Sequence, residues 1–255
     1  MAGCLNDVAL RHSARRTSSE SRPTMKLLAF DTSTDQLSIA IQHGDRIWEH
    51  AGAAGAQSSS TLIPAVQQGM QALGLQFQDL DAIAFGRGPG YFTGLRTSCA
   101  IAQGLAMGAG LQLLPIDTLM AVAEEARLQH GCTAVLAVMD ARMNEVYHAG
   151  YAFDGTRWTE TAELGLCAPE DLANPAGLPV VGNAHPVYPT LLPAATHLAA
   201  RPTATALLRL APQCMQDGGL VHPADALPRY IRDKVAKTTV EREAEKRAAA
   251  TPSAA

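Results

Sequence analysis

The stretch Gly86-Arg87-Gly88-Pro89-Gly90-Tyr91-Phe92-Thr93-Gly94-Leu95-Arg96 decides how this chain is read. It follows an apolar run, Ala82-Ile83-Ala84-Phe85, and opens a long Ala- and Gly-rich segment that reads as helix. Four glycines fall within nine residues at this strand-to-helix junction. Glycine lets the backbone take positive φ and lets other groups approach it closely. A helix starting just after such a loop offers free N–H groups and a positive dipole end, which suit an anion. No Gly-Lys-Ser/Thr ending follows, so the loop is not a Walker A loop, and the glycine spacing is not the dinucleotide fingerprint. The glycines alone leave two readings open: an anion-binding loop, or a tight connection with no ligand.

On either side of this loop the chain alternates strands and helices. Residues 27–30, 37–41 and 46–50 read as three antiparallel strands, with a polar turn at Asp31-Thr32-Ser33-Thr34 and a hairpin turn at His43-Gly44-Asp45. Leu62, Val66, Met70 and Leu73 recur at helical spacing, so residues 58–73 predict a helix that starts near Ser60 or kinks at Pro64. Residues 95–108 predict a helix rich in small residues. Ala102, Gly104, Ala106 and Gly108 give it strips where another backbone can approach, from the same lobe or from another molecule. Residues 111–116 read as a strand, and Asp117 as the cap of a helix reaching His130. A second cycle starts at residues 134–139: an apolar strand, a turn at Asp140-Ala141-Arg142, and a strand over 146–153. This repeats the strand–Asp turn–strand pattern of residues 27–41 and predicts a duplicated architecture. Beyond it lie a helix near 169–173, a strand at 180–182 and short helices after Pro186 and Pro202, a poorer second half.

The 255 residues suffice for one large domain or two ordinary lobes, and 47% hydrophobic residues provide a core. A net charge of −4 is no electrostatic footprint for tight nucleic-acid binding by the chain alone. No apolar run approaches the ~20 residues of a membrane span. The five cysteines form no Cys-x-x-Cys pair and read as free thiols of a reducing compartment. Residues 1–24 are Arg- and Ser-rich and read as a disordered leader or a mis-assigned start ahead of Met25, with an organellar transit peptide as the alternative. Residues 236–255 read as a disordered or frayed helical tail.

The glycine loop closely resembles the signature loop of the TsaB (YeaZ-type) family, whose members usually carry Ser where this chain has Tyr91. Four further blocks extend the resemblance, among them Ile101-Ala102-Gln103-Gly104-Leu105-Ala106, which is similar to the family's following helix. Met25-Lys26-Leu27-Leu28-Ala29-Phe30-Asp31-Thr32-Ser33-Thr34 is similar to the family's opening strand and turn. Asp140-Ala141-Arg142-Met143-Asn144-Glu145-Val146-Tyr147 and Pro228-Arg229-Tyr230-Ile231-Arg232 are similar to later family blocks. The resemblance implies an α/β fold of the actin-like ATPase type, with two related lobes at 25–130 and 131–235 and the second reduced.

It also implies a function. The chain would be a non-catalytic subunit partnering a TsaD-type protein, which carries the metal and transfers a threonylcarbamoyl group to the adenosine 3′ of the anticodon in tRNA. A TsaE-type ATPase would join them, and tRNA would be met through the complex, in the cytoplasm. ATP and metal would belong to the partners, with no cofactor on this chain. In such proteins the two helices after the first strands pack against a TsaD-type protein or a second copy, here through Leu62, Val66, Met70, Ala102, Gly104 and Ala106. Asp31, Thr32 and Ser33 stand where the fold places its first phosphate loop, but without its usual glycine. With Gly88, Gly90, Thr93, Gly94, Arg96 and Arg142 they form a vestigial phosphate-loop-like set, and the plainer reading is that Asp31 and Thr32 cap their own turn. TsaD-type relatives carry a His-x-x-x-His metal pair on the helix after the strand at 111–116. The matching positions here are Thr118 and Val122, neither able to replace imidazole. Arg142 and Glu145 face the presumed cleft, with an internal ion pair as the plainer reading. The rivals are an active small-molecule kinase or ATPase of the same fold and a metalloprotease. No Gly-x-Ser-x-Gly elbow and no Cys/His pairing supports hydrolysis.

Overall fold

Two five-stranded sheets with the same strand order form the chain's framework in a computed structural model that describes residues 24–54 and 58–232. In the first, β1 (Lys26–Asp31), β2 (Gln36–His43) and β3 (Arg46–Ala53) pair antiparallel, and β4 (Ala82–Gly88) and β5 (Leu113–Asp117) add in parallel on the other side of β1, giving the order 3-2-1-4-5. In the second, β6 (Ala134–Arg142), β7 (Glu145–Phe153) and β8 (Trp158–Cys167) pair antiparallel, and β9 (Val180–Gly182) and β10 (His197–Ala199) add in parallel beside β6. The duplication expected from the two Asp turns is therefore a duplication of the whole sheet. The fold is α/β, of the actin-like type.

The second copy is reduced. In the first sheet α1 (Ser58–Leu73) leads into β4 and α2 (Phe92–Ala109) into β5. In the second, the corresponding connections are loops with one 3-10 turn at Pro169–Asp171, and β9 and β10 have three residues each. The helix expected near 169–173 is thus a single turn, and residues 183–196 form bends and turns where a helix was expected after Pro186. The segment after Pro202 is longer than expected: α4 runs Ala204–Gln216, with Thr203 Oγ1 accepting from Ala206 N as its cap. The readings of residues 1–23 and 236–255 lie outside the described residues.

Strand alternation sorts the core into layers. On β1, Leu28 and Phe30 face α1 and α2, while Leu27 and Ala29 face the molecule's middle. β4 repeats this with Ile83 and Phe85 outside and Ala82 and Ala84 inside. The middle layer holds α3 (Thr118–His130) and α4 between the two sheets. Alanines at 29, 40, 82 and 84, and at 137 and 149 on the second sheet, keep the inner faces low enough for helices to sit close. α4 packs on β1, β2, β4 and β5, whereas α3 reaches β6, β7 and β9. Each half of the sequence thus lends a helix to the other half's sheet.

The two outer helices correct one expectation. Leu62, Val66, Ala102 and Ala106 are fully buried and Met70 nearly so, all inside the cluster that lines the first sheet. They are the chain's own core, because an apolar stripe at helical spacing marks the face a helix buries first. Gly104 differs. It is exposed, and a Cβ placed there meets nothing within 4 Å. Ala100, Gly104 and Gly108 form an open i, i+4, i+8 row on α2, beside exposed Met107.

Candidate functional site

The glycine loop is filled by the chain's own backbone. Asp31 ends β1, and its Oδ1 accepts from Ser33 N at 2.8 Å and Ser33 Oγ at 2.6 Å, closing an Asx turn. Thr32 Oγ1 donates to Gly94 O at 2.7 Å, and Tyr91 N donates to Ser33 O at 2.7 Å. A Cβ on Gly86 would overlap Asp31 Oδ2, one on Gly94 would overlap the Thr32 carbonyl oxygen, and one on Gly90 would lie 2.5 Å from Ser33 O. These three glycines are therefore required for close approach of the β1–β2 turn. Asp31, Thr32 and Ser33 are at most 1% exposed, so no ligand reaches the turn.

Of the two positions expected to match a metal pair, Thr118 braces the same loop. Thr118 Oγ1 accepts from Gly88 N at 3.2 Å, and Val122 is fully buried in the middle layer. Asp117 precedes α3 without capping it by side chain. Its carboxylate instead takes Arg87 Nε at 2.6 Å and Arg229 NH1 at 2.8 Å.

Asp31 is buried against this packing with Oδ2 lacking any hydrogen-bond partner among the described residues. Burial raises its pKa from 3.8 to about 6, against the lowering effect of the two Ser33 bonds. The folded pKa exceeds the unfolded one, so the native state binds more protons between about pH 4 and 6. Stability then falls as pH rises through that window, by up to ~3 kcal/mol. Asp31→Asn should remove this component. The difference in urea midpoint between pH 4.5 and pH 7 is expected to shrink relative to the wild type, and an unchanged difference would contradict the assignment.

The second lobe carries the matching turn. Asp140 Oδ1 accepts from Arg142 N at 2.9 Å, the same i to i+2 bond that Asp31 makes. Asp140 also accepts from Tyr188 OH at 3.0 Å, and burial together with this bond pushes the Tyr188 phenol up to about 12. Arg142 lies 3.3 Å from Asp140 Oδ2 and over the Tyr91 ring at 4.8 Å, joining the two lobes. Glu145 pairs with Arg232, not with Arg142, so the expected internal ion pair splits between two other partners.

The closing segment crosses the cleft. Arg229 N donates to Arg87 O at 2.7 Å, Arg96 Nε donates to Tyr230 OH at 3.0 Å, and Arg232 NH2 donates to Arg142 O at 3.1 Å. Of the expected phosphate-loop set, Asp31, Thr32, Ser33, Gly90 and Gly94 meet in one closed turn, and Gly88 is held by Thr118. Arg96 stacks on Phe92 at 3.8 Å, and exposed Thr93 accepts from Thr97 Oγ1 through its carbonyl. Arg142 stands across the cleft. Two cavities remain between the lobes, of about 300 and 250 Å³, and Tyr91 and Arg142 line both. Sequence reasoning left Asp140, Tyr188 and Arg229 out of the site. The repeated Asp turn was the signal that could have included Asp140.

Residues 52–246 match the family described as "TsaD: tRNA N6-adenosine threonylcarbamoyltransferase". The chain belongs to this family. Within it, the chain is a TsaB/YeaZ-type member. It is 42% identical over 130 residues to an Escherichia coli protein named tRNA threonylcarbamoyladenosine biosynthesis protein TsaB, a stretch covering 51% of this chain and 56% of that protein. The Haemophilus influenzae protein of the same name is 37% identical over 158 residues, covering 59% of this chain and 67% of that one. The match thus spans little more than half to two thirds of these relatives. Among solved structures, a Pseudomonas aeruginosa protein described as similar to peptidase YEAZ superposes with a TM-score of 0.77 at 33% identity, covering 82% of this chain and 100% of that one. YeaZ from the same organism superposes with a TM-score of 0.75. No described helix is long and apolar enough to cross a membrane.

Proposed function

We propose that this chain is a non-catalytic subunit in the synthesis of threonylcarbamoyladenosine in tRNA, acting beside a TsaD-type catalytic partner and a TsaE-type ATPase. The observation that carries the reading is the closed glycine loop: Gly86 accommodates the Asp31 carboxylate, and Gly90 and Gly94 the Thr32–Ser33 backbone, where an active relative would need room for phosphate. Thr118 and Val122 at the metal-pair positions support it further, because both serve the chain's own packing. ATP and metal are then supplied by the partners, and tRNA is met through the assembly. A kinase or ATPase of the same fold would need an open first phosphate turn, and Thr32 and Ser33 are fully buried.

The docking surface we assign is the open row Ala100, Gly104 and Gly108 on α2, with Met107 beside it, and its occupant is the TsaD-type partner. Small residues there let a partner helix approach backbone to backbone. Reconstitution tests the function. Unmodified tRNA, threonine, bicarbonate, ATP, the pathway enzyme that forms the threonylcarbamoyl donor, and the TsaD- and TsaE-type proteins of the same host should give modified tRNA only when this chain is added. The chain alone should give none. ATP turnover or tRNA modification by the isolated chain would overturn the assignment.

A further inference from the structure

A groove of about 580 Å³ opens on the inner side of the first sheet, between β3 and the helices of the middle layer. Ile47 and Glu49 stand opposite Gln42 and Ala40 of β2, so they share the face that Ala40 turns to the middle layer. α4 packs on β1, β2, β4 and β5, and α1 covers the other face of β3 around Trp48. On the inner face Ile47 is left 49% exposed, and Leu128 of α3, which lines the same groove, is 57% exposed. Leu208 and Pro212 of α4 and Met25, the residue before β1, complete the apolar wall. A sheet face is stable when another element covers it. Here the strip beside β3 has no such cover among the described residues.

The charges of the groove are unequal. Glu49, Glu125 and Arg209 line it, and Arg209 is committed to Glu124 and Glu125. Glu49 is exposed and makes no ion pair among the described residues. The groove therefore sets an apolar strip beside one uncompensated negative charge. Its two strongly exposed apolar side chains fall far short of the roughly 800 Å² per partner that a stable dimer buries. A tethered occupant needs no such area, because the tether supplies an effective concentration on the order of millimolar.

The described chain starts at this groove, since residue 24 adjoins Met25, which lines it. Residues 1–23 carry four arginines, Arg11, Arg15, Arg16 and Arg22, against two acids, Asp7 and Glu20, an excess of two positive charges. They also carry Leu5, Val8 and Leu10. At ~3.3 Å per residue the chain between Leu10 and Met25 can span roughly 50 Å, so these side chains can return to any part of the groove. We propose that the groove seats the chain's own residues 1–23, with Leu5, Val8 and Leu10 against Ile47 and Leu128 and the arginines toward Glu49. The Arg-rich composition that reads as a leader is thus the complement of this face. The groove lies on the opposite face of the first sheet from α2, so the inference goes beyond the subunit role above and does not require it.

Photocrosslinking in the full 255-residue chain tests this. A benzophenone side chain in place of exposed Leu128 should, on irradiation, join to a peptide from residues 1–23, and the product should run as a monomer. Glu49→Arg should lower that yield about two- to fivefold, as expected for the loss of one exposed charge contact. Glu163→Arg, on the edge strand β8 and outside the groove, should leave it unchanged. Trypsin gives a readout that needs no variant. Cleavage after Arg11, Arg15 and Arg16 should be at least about tenfold slower in the intact chain than in a synthetic peptide of residues 1–23, because proteolysis follows the population of the open form. Cleavage at the rate of the free peptide would overturn the proposal. So would a crosslinked product found only as a dimer, which would assign the groove to a second copy, or an unchanged yield in a folded Glu49→Arg chain.

Discussion

Glu124→Ala should cost about 3–5 kcal/mol of stability, the loss expected when one member of a buried ion network is removed. Glu124 lies between the sheets, 2% exposed. Its carboxylate accepts from Arg127 Nε and NH2, each at 2.8 Å, from Arg209 Nε at 2.8 Å and from Trp158 Nε1 at 3.0 Å. Burial alone would raise its pKa, but the bonds from Arg127, Trp158 and Arg209 outweigh burial and leave it lowered. The carboxylate is thus charged and stabilising at neutral pH. Alanine would leave the Trp158 indole N–H buried without an acceptor and Arg209 with Glu125 as its one remaining acidic partner among the described residues. Arg127 is 31% exposed at its side chain and can turn to water, which tempers the loss. Because Glu124 and Arg127 come from α3, Arg209 from α4 and Trp158 from β8, the network joins the helices that the two halves exchange. A urea midpoint showing a loss below about 1 kcal/mol would contradict a central role for it.

Gly94→Ala should also destabilise, although helix propensity favours it. Alanine exceeds glycine by about 1 kcal/mol inside a helix. At this position the new methyl group would overlap the Thr32 carbonyl oxygen, which is backbone and already tied through Thr32 Oγ1 to Gly94 O. Neither the strand end nor the helix start can yield without opening the turn. Overpacking of this kind costs about 1–3 kcal/mol or more. A net loss of about 2 kcal/mol is expected in thermal or urea unfolding. Unchanged or increased stability would show that the turn has room, and the closed-loop argument would fail with it.

The glycine loop was legible because its residues are constrained by close approach, and close approach needs glycine at fixed positions. The Asp31 and Asp140 turns were legible because the same side-chain bond closes both, and their repeat predicted the duplicated sheet. The phosphate-like glycines were harder to interpret. A sequence shows that something must come close to Gly86, Gly90 and Gly94, but a neighbouring backbone and a phosphate make the same demand. β8 escaped because Thr159, Glu160, Thr161, Ala162 and Glu163 are all exposed on this edge strand, so apolar alternation is absent. β9 stands where a strand was read at 180–182, β10 is too short to carry a period, and α4 was underestimated because Pro212 lies inside it. Five residues expected on a partner face lie in the chain's own core for a physical reason. Periodicity in α1 and α2 reports the stripe each helix buries in its own lobe, and Leu62, Val66, Met70, Ala102 and Ala106 are that stripe. The proposed docking row of Ala and Gly has almost no hydrophobic signal, and the open space around Gly104 is visible only in the structure.

The proposed role is that of a closed, catalytically silent chain that offers α2 to a TsaD-type partner. Gly104→Arg tests this most directly. The site is exposed, and arginine is a better helix former than glycine by up to about 1 kcal/mol, so the chain should fold with equal or greater stability. The long charged side chain should stop a partner helix from reaching the row of small residues. Co-purification of the tagged chain with the TsaD-type protein of the same host is predicted to be lost in Gly104→Arg while the melting temperature holds. A folded Gly104→Arg chain that recovers the partner in wild-type amount would contradict it.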